Sequence, residues 1–250
     1  MKIMIRKTFL NILVLGMAAW GAELPKAETL LDNYIEATGG LEAYKALRNQ
    51  KVVAQVEFVG QGIQGTSTTL LDGNGNSLTT LELAGLGKVL SGTKDGVSWE
   101  SSAMQGTRLR EGEEKIQTMR MSDLRAAVNW REYTEMAEVT GEENVEGKDC
   151  WVMKSRYKGV ASESVSWIDK KTGLMVKSAV KMKTQMGELP METFYREYRK
   201  QGALLVPVAM EQKVGPMTMK TTVKEVASNI DLPANAFDFP KEVSALLEKK

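Results

Sequence analysis

The chain of 250 residues has no histidine, and its one cysteine is Cys150. Without histidine there is no Ser-His-Asp triad, no Cys-His variant of it and no His-ligated zinc helix. A single cysteine closes no internal disulfide and builds no thiolate metal site. Acid–base chemistry would fall to Asp, Glu, Lys or Tyr, so most catalytic classes are disfavoured and an enzyme is not expected. An excess of one charge is also missing, since 33 Lys and Arg face 32 Asp and Glu. Such a chain has no broad field to attract nucleic acid, which is not expected as a partner. The five tryptophans are scattered, and no cluster of aromatic platforms marks a sugar cleft. Beyond the N-terminus no apolar run is long enough to span a bilayer.

What is present begins with an export signal. Lys2, Arg6 and Lys7 precede an apolar run from Phe9 to Ala19. Ala19 and Gly21 are small residues at the spacing of a cleavage site before Ala22. No cysteine follows that site, which closes the usual route to an N-terminal lipid anchor. The sequence therefore predicts a signal peptide over 1–21, one domain over 22–250, and an exported, periplasmic protein without a transmembrane span. Loss of the three basic residues leaves 30 basic against 32 acidic residues, a net charge of −2. Cys150 lies within a strand pattern and reads as a buried, inert thiol.

Pro25 opens a helical pattern with Leu30, Leu31, Tyr34, Ile35 and Thr38 on one face, ended by Gly39-Gly40. A second short helix is predicted over Leu41–Leu47. Strands then dominate. Val52, Ala54, Val56 and Phe58 alternate with more polar neighbours. Thr66–Leu71 and Ser77–Leu83 flank a turn at 72–76, the signature of a hairpin. From Glu111 to about Asn129 the pattern is helical, with Ile116, Met119, Leu124 and Val128 as candidate inward residues and Ser122-Asp123 as a restart. Strands resume near Met136. The whole reads as a meander of about ten strands with one helical insertion.

Three local motifs fail on context. Gly60-Gln61-Gly62-Ile63-Gln64-Gly65 has the letters of a dinucleotide fingerprint but leads into β-branched Thr66-Ser67-Thr68. No helix N-terminus is there to hold a pyrophosphate, so it reads as a turn. Asp72-Gly73-Asn74-Gly75-Asn76 resembles half a calcium loop, but Ser77 and Leu83 stand where glycine and a bidentate glutamate are needed. Glu111, Glu113 and Glu114 are accounted for by the positive end of the helix they begin. No metal and no cofactor are expected.

The C-terminal half carries the most specific signal. A turn at Asp169-Lys170-Lys171-Thr172-Gly173-Leu174 precedes Phe194-Tyr195-Arg196-Glu197-Tyr198-Arg199. Leu205-Val206-Pro207 and Phe237-Asp238-Phe239-Pro240 follow. This string resembles the C-terminal half of the bacterial outer-membrane lipoprotein-sorting proteins, the LolA/LolB-like superfamily. Leu83-Ala84-Gly85-Leu86-Gly87 and Asp95-Gly96-x-x-Trp99 also look like elements of these relatives. The resemblance implies a mainly β fold with helices (α+β): a large curled antiparallel sheet, or half-open barrel, with helices covering its concave face. It also implies a periplasmic carrier or binding protein for lipid or lipoprotein acyl chains, with outer-membrane lipoprotein sorting as the suggested role. An interaction or sensor module for envelope proteins or peptides is the alternative, and a carboxylate-based enzyme a more distant one. A monomer is expected. No cargo-contacting residue of the studied carriers aligns onto this chain.

Strand alternation points to the surface. Val180, Met182, Val206, Val208, Met210, Met217 and Met219 are expected to line one apolar face, partly roofed by Met119 and Leu124. Lys177, Lys181, Lys183, Lys220 and Lys224 would face water, and Val176 would share the face of Val180. An open cavity and a closed core both fit this pattern.

Overall fold

The computed structural model describes residues 23–184 and 187–249. The expected signal peptide at 1–21 lies outside the described residues. Two helices come first, α1 (Ala27–Ala37) and α2 (Leu41–Lys45). The amides of Gly39 and Gly40 bond back to the carbonyls of Glu36 and Ile35, the paired closure that ends a helix at a left-handed glycine. Gly40 has φ +81°.

Six strands follow: β1 (Asn49–Phe58), β2 (Ile63–Asp72), β3 (Ser77–Leu83), β4 (Gly87–Lys94), β5 (Val97–Ser102) and β6 (Gly106–Leu109). A crossover carries α3 (Gly112–Ser122) and α4 (Trp130–Tyr133). Then come β7 (Thr134–Val145), β8 (Lys148–Tyr157), β9 (Glu163–Asp169), β10 (Met175–Thr184), β11 (Gly187–Gln201), β12 (Leu204–Val214) and β13 (Met217–Ser228). The chain ends in α5 (Lys241–Leu247).

All thirteen strands form one antiparallel sheet in the order β6-β5-β4-β3-β2-β1-β13-β12-β11-β10-β9-β8-β7. The sheet is curled and does not close, because β6 and β7 stay apart as its edges. Both edges are protected against pairing with another chain. Helix α5 packs on β6 with Val243 fully buried, and β7 carries Glu135, Glu138, Glu142 and Glu143. The β2–β3 turn is held by Asp72, whose carboxylate accepts the amides of Asn74 and Asn76 and the Asn76 side chain.

The two faces bury different clusters. On the face that carries α1, Ala27 and Leu30 pack on Met153 and Ile168. Further along it, Ala54, Val208 and Val223 pack with Val52, Val206, Met210 and Val226. On the opposite face Cys150, Trp167 and Val176 are buried with Val145. Cys150 has no exposed surface, and burial pushes its thiol up from the ordinary value.

Several sequence expectations need correction. The described residues form thirteen strands rather than about ten, and four-residue β6 is too short to show a period. Helix α5 was not anticipated, although Val243, Leu246 and Leu247 have helical spacing. The central helix ends at Ser122, and Asp123 is extended. Its buried residues are Gln117 and Ser122, while Ile116 and Met119 are exposed. Val176 sits where the β9–β10 register shifts between Met175 and Lys177, which moves it to the face opposite Val180. Lys177 does not point freely to water. It is ion-paired with Glu192, its side chain is 17% exposed, and its ammonium lies 4.6 Å from the centroid of the Trp167 ring.

Candidate functional site

Because β6 and β7 are opposite edges of the sheet, the chain between them must cross the open concave face. It does so through α3 and α4. Arg108 on β6 donates to both oxygens of Glu114 on α3, at 2.7 and 2.5 Å, and to Glu100 on β5 at 2.6 Å. Arg110 donates to Glu100 at 2.6 Å. Its Nε lies 3.2 Å from Glu114 without the alignment of a hydrogen bond. The Arg108 guanidinium holds the Glu114 carboxyl below the usual carboxylate range. At the other end of α3, the Ser122 hydroxyl lies 2.9 Å from that of Ser77, which meets Thr93 at 3.0 Å. Arg125 donates to the Gly73 carbonyl at 2.8 Å.

After α3, Asp123 organises the turn into α4. It accepts the Arg125 amide, the Asn129 side chain and the Tyr133 hydroxyl at 2.8, 2.9 and 2.8 Å. Burial, then the bond to Asp123, pushes the Tyr133 phenol up to about 12. The crossover thereby encloses a pocket of about 150 Å³ against α1 and strands β8–β10. Its apolar walls are Leu31 and Tyr34 of α1, Ala126, Ala127 and Trp130 of the crossover, and Met153, Ile168 and Met175 of the sheet. Ser155, Ser166 and Tyr157 complete the floor.

A second, more polar cleft of about 470 Å³ lies between the crossover and the β2–β3 and β4–β5 turns. Arg120 and Tyr133 are walls of both spaces. The Arg120 guanidinium carbon lies over the Tyr157 ring, 3.9 Å from its centroid. Its Nε is buried without a hydrogen-bond partner, as is Nε1 of Trp130.

Next to the pocket stands a group of tyrosines. Tyr195 and Tyr198 have ring centroids 6.4 Å apart. Simple alternation would send residues three apart to opposite faces of a strand. Register shifts on both sides of Glu197 bring both rings toward Tyr34 instead. Tyr198 donates to the Met175 carbonyl at 3.0 Å, and Tyr195 meets Ser178 at 3.3 Å. Burial raises the phenols of Tyr34, Tyr195 and Tyr198, keeping them neutral.

The residues singled out from sequence are spread over this face rather than gathered in one pocket. Val206, Val208 and Met210 are packed against Ala54 and Val223. Val180 pairs with Ser164 and Met191. Met219 pairs with Phe58 and Gln212, and Met217 at the hairpin end is 37% exposed. Met119 lines the polar cleft, and Leu124 follows it, half-buried, in the turn. The side chain of Met182 is not among those described. Lys181, Lys220 and Lys224 are exposed. The walls that sequence reasoning missed, Trp130, Tyr133, Met153, Ile168 and Arg120, lie on elements joined only by tertiary contact. Among the described residues no group of three Cys, Asp or Glu side chains is placed to hold a metal. No described helix is long and apolar enough to cross a membrane.

The sequence matches no family model and no curated protein. Solved structures do match. A DUF1329 family protein from Desulfovibrio piger superposes with a TM-score of 0.58 at 15% identity, over 85% of this chain and 97% of that one. A LolA superfamily protein from Nitrosomonas europaea gives 0.58 at 13%, over 86% and 99%. The fold is LolA-like. A domain from Vibrio parahaemolyticus described as an outer-membrane lipoprotein-sorting protein domain gives 0.56 at 11%, over 85% and 97%. In all three the match spans nearly the whole neighbour, so the LolA-like architecture extends across both halves of the sheet.

Proposed function

We propose that the protein is an exported, periplasmic carrier or binding protein that holds lipid or lipoprotein acyl chains on its concave face. The reading takes 1–21 as a cleaved signal peptide and 22–250 as one carrier-like domain without catalytic activity. The observation that carries it is the apolar pocket between α1, α4 and β8–β10. Apolar walls with a few polar groups at one side are the usual make-up of a small-molecule site. The LolA-like fold, shared with a domain described as lipoprotein-sorting, adds support.

At about 150 Å³ the pocket admits a short stretch of chain, below the roughly 300 Å³ at which ordinary ligand clefts begin. A longer acyl chain would need the crossover to lift from the sheet. Val180, Met182, Met210, Met217 and Met219 would then continue the apolar track beyond the pocket, with Met119 and Leu124 on the lifted roof. Val206 and Val208 would lie beneath it.

The test is mass spectrometry of organic extracts of the purified exported protein, with titration of a fluorescent polyene fatty acid. Bound acyl lipid, and loss of probe binding in Ala127→Trp with folding intact, are the expected results. Co-purifying protein with no lipid and no probe binding would move the reading to a module that binds envelope proteins.

A further inference from the structure

We infer that Arg120 is an anion-recognition group, and that the ligand is an amphiphile whose carboxylate or phosphate pairs with this guanidinium while its chain enters the apolar pocket. The inference rests on the acyl-pocket reading and adds the headgroup chemistry to it. Arg120 is the basic residue common to the apolar pocket and the polar cleft. A charge at that junction is where a headgroup must sit if the tail occupies the pocket.

The guanidinium is placed but not neutralised. Its guanidinium carbon lies over the Tyr157 ring, 3.9 Å from the centroid, a cation–π contact that uses none of its hydrogen-bond donors. It forms no ion pair among the described residues, unlike Arg108, Arg110, Arg131, Arg156, Arg196 and Arg199. Its Nε–H is buried and unsatisfied. Leaving a buried charged donor without an acceptor is costly, and an anion would remove that cost. The nearby carboxylate of Asp123 is already committed to Tyr133, Asn129 and the Arg125 amide. Arg125 adds a second guanidinium to the cleft, with its own Nε buried and unpartnered. Asp95 also lines the cleft and tempers its positive potential. Arginine suits this role because its planar fork matches carboxylate and phosphate oxygens two at a time.

The experiment compares three compounds with one chain length: dodecanoate, dodecyl phosphate and dodecanol. Each is titrated calorimetrically into the purified protein and into Arg120→Gln and Arg120→Lys. One charge-assisted hydrogen bond predicts that an anionic compound binds about tenfold more tightly than dodecanol. Arg120→Gln should erase that preference by weakening the two anions more than dodecanol, and Arg120→Lys should keep part of it. A larger gain for dodecyl phosphate identifies a phosphorylated lipid, and one for dodecanoate a free fatty acid. Equal affinity for all three, or equal weakening of all three in Arg120→Gln, overturns the anion site and leaves the acyl pocket standing. Failure of all three to bind overturns both.

Discussion

Replacing Glu114 with glutamine tests whether the crossover is clamped to the sheet by charge. In the native protein Glu114 and Glu100 balance Arg108 and Arg110, and the four side chains are between 15% and 24% exposed. Glu114→Gln keeps the shape but leaves two guanidinium groups facing one carboxylate. Removing a partner from a fully buried pair costs about 3–5 kcal/mol, whereas an exposed pair contributes about 0–1. The burial here lies between those cases, and the bidentate bond lifts the value above the exposed limit. A loss of about 2 kcal/mol follows, or roughly 4–8 °C in Tm for a domain of this size. Thermal melts followed by circular dichroism across pH supply the check. The folded-state Glu114 carboxyl titrates below its unfolded value. Its contribution is therefore complete above the ordinary carboxylate range and is lost as pH falls through the lowered value. The gap between wild type and Glu114→Gln should be widest near neutrality and narrow steadily in acid. A gap below about 0.5 kcal/mol at pH 7 would mark the network as ordinary surface charge. A gap that persists undiminished at the lowest pH at which both proteins fold would show that the carboxylate's ionisation is not what matters.

Two further contrasts test the packing. Val208, 2% exposed among Ala54 and Val223, should not tolerate a carboxylate. Val208→Asp should cost several kcal/mol and prevent folding, whereas Met217→Asp at the exposed hairpin end should stay within about 0.5 kcal/mol; urea titration compares them. A Cβ at Gly92 would lie 2.5 Å from the Ser77 carbonyl and 3.0 Å from the Trp99 ring, while at Gly141 it would meet nothing within 4 Å. Gly92→Ala should therefore lose about 1–3 kcal/mol, with Gly141→Ala near neutral or slightly stabilising. Equal effects in either contrast would contradict the packing described.

The local elements were legible in short stretches of sequence. Alternation at Val52, Ala54 and Val56 is enough for a strand. Gly39-Gly40 is enough to end α1, and Asp72–Asn76 to turn a hairpin. Each depends on residues within a few positions of one another, where backbone sterics and side-chain period act directly. The turn at 169–174 and the strands after it were legible for the same reason, and the family resemblance of that region pointed to the LolA-like fold. Tertiary structure decided the rest. The pairing of β1 with β13 joins residues about 170 positions apart, and no local period encodes it. The register shifts at Glu197 and Val176 reverse faces that alternation assigns, because a bulge sets two residues against one on the neighbouring strand. The inward side of α3 shows the same override. Its apolar Ile116 and Met119 are left exposed, while Glu114 finds an ionic partner on β6 and Ser122 a hydroxyl partner on β3. The pocket and Arg120 are legible only in three dimensions, since α1, the crossover and β8–β10 meet there only after the sheet has curled and the chain has crossed its open face.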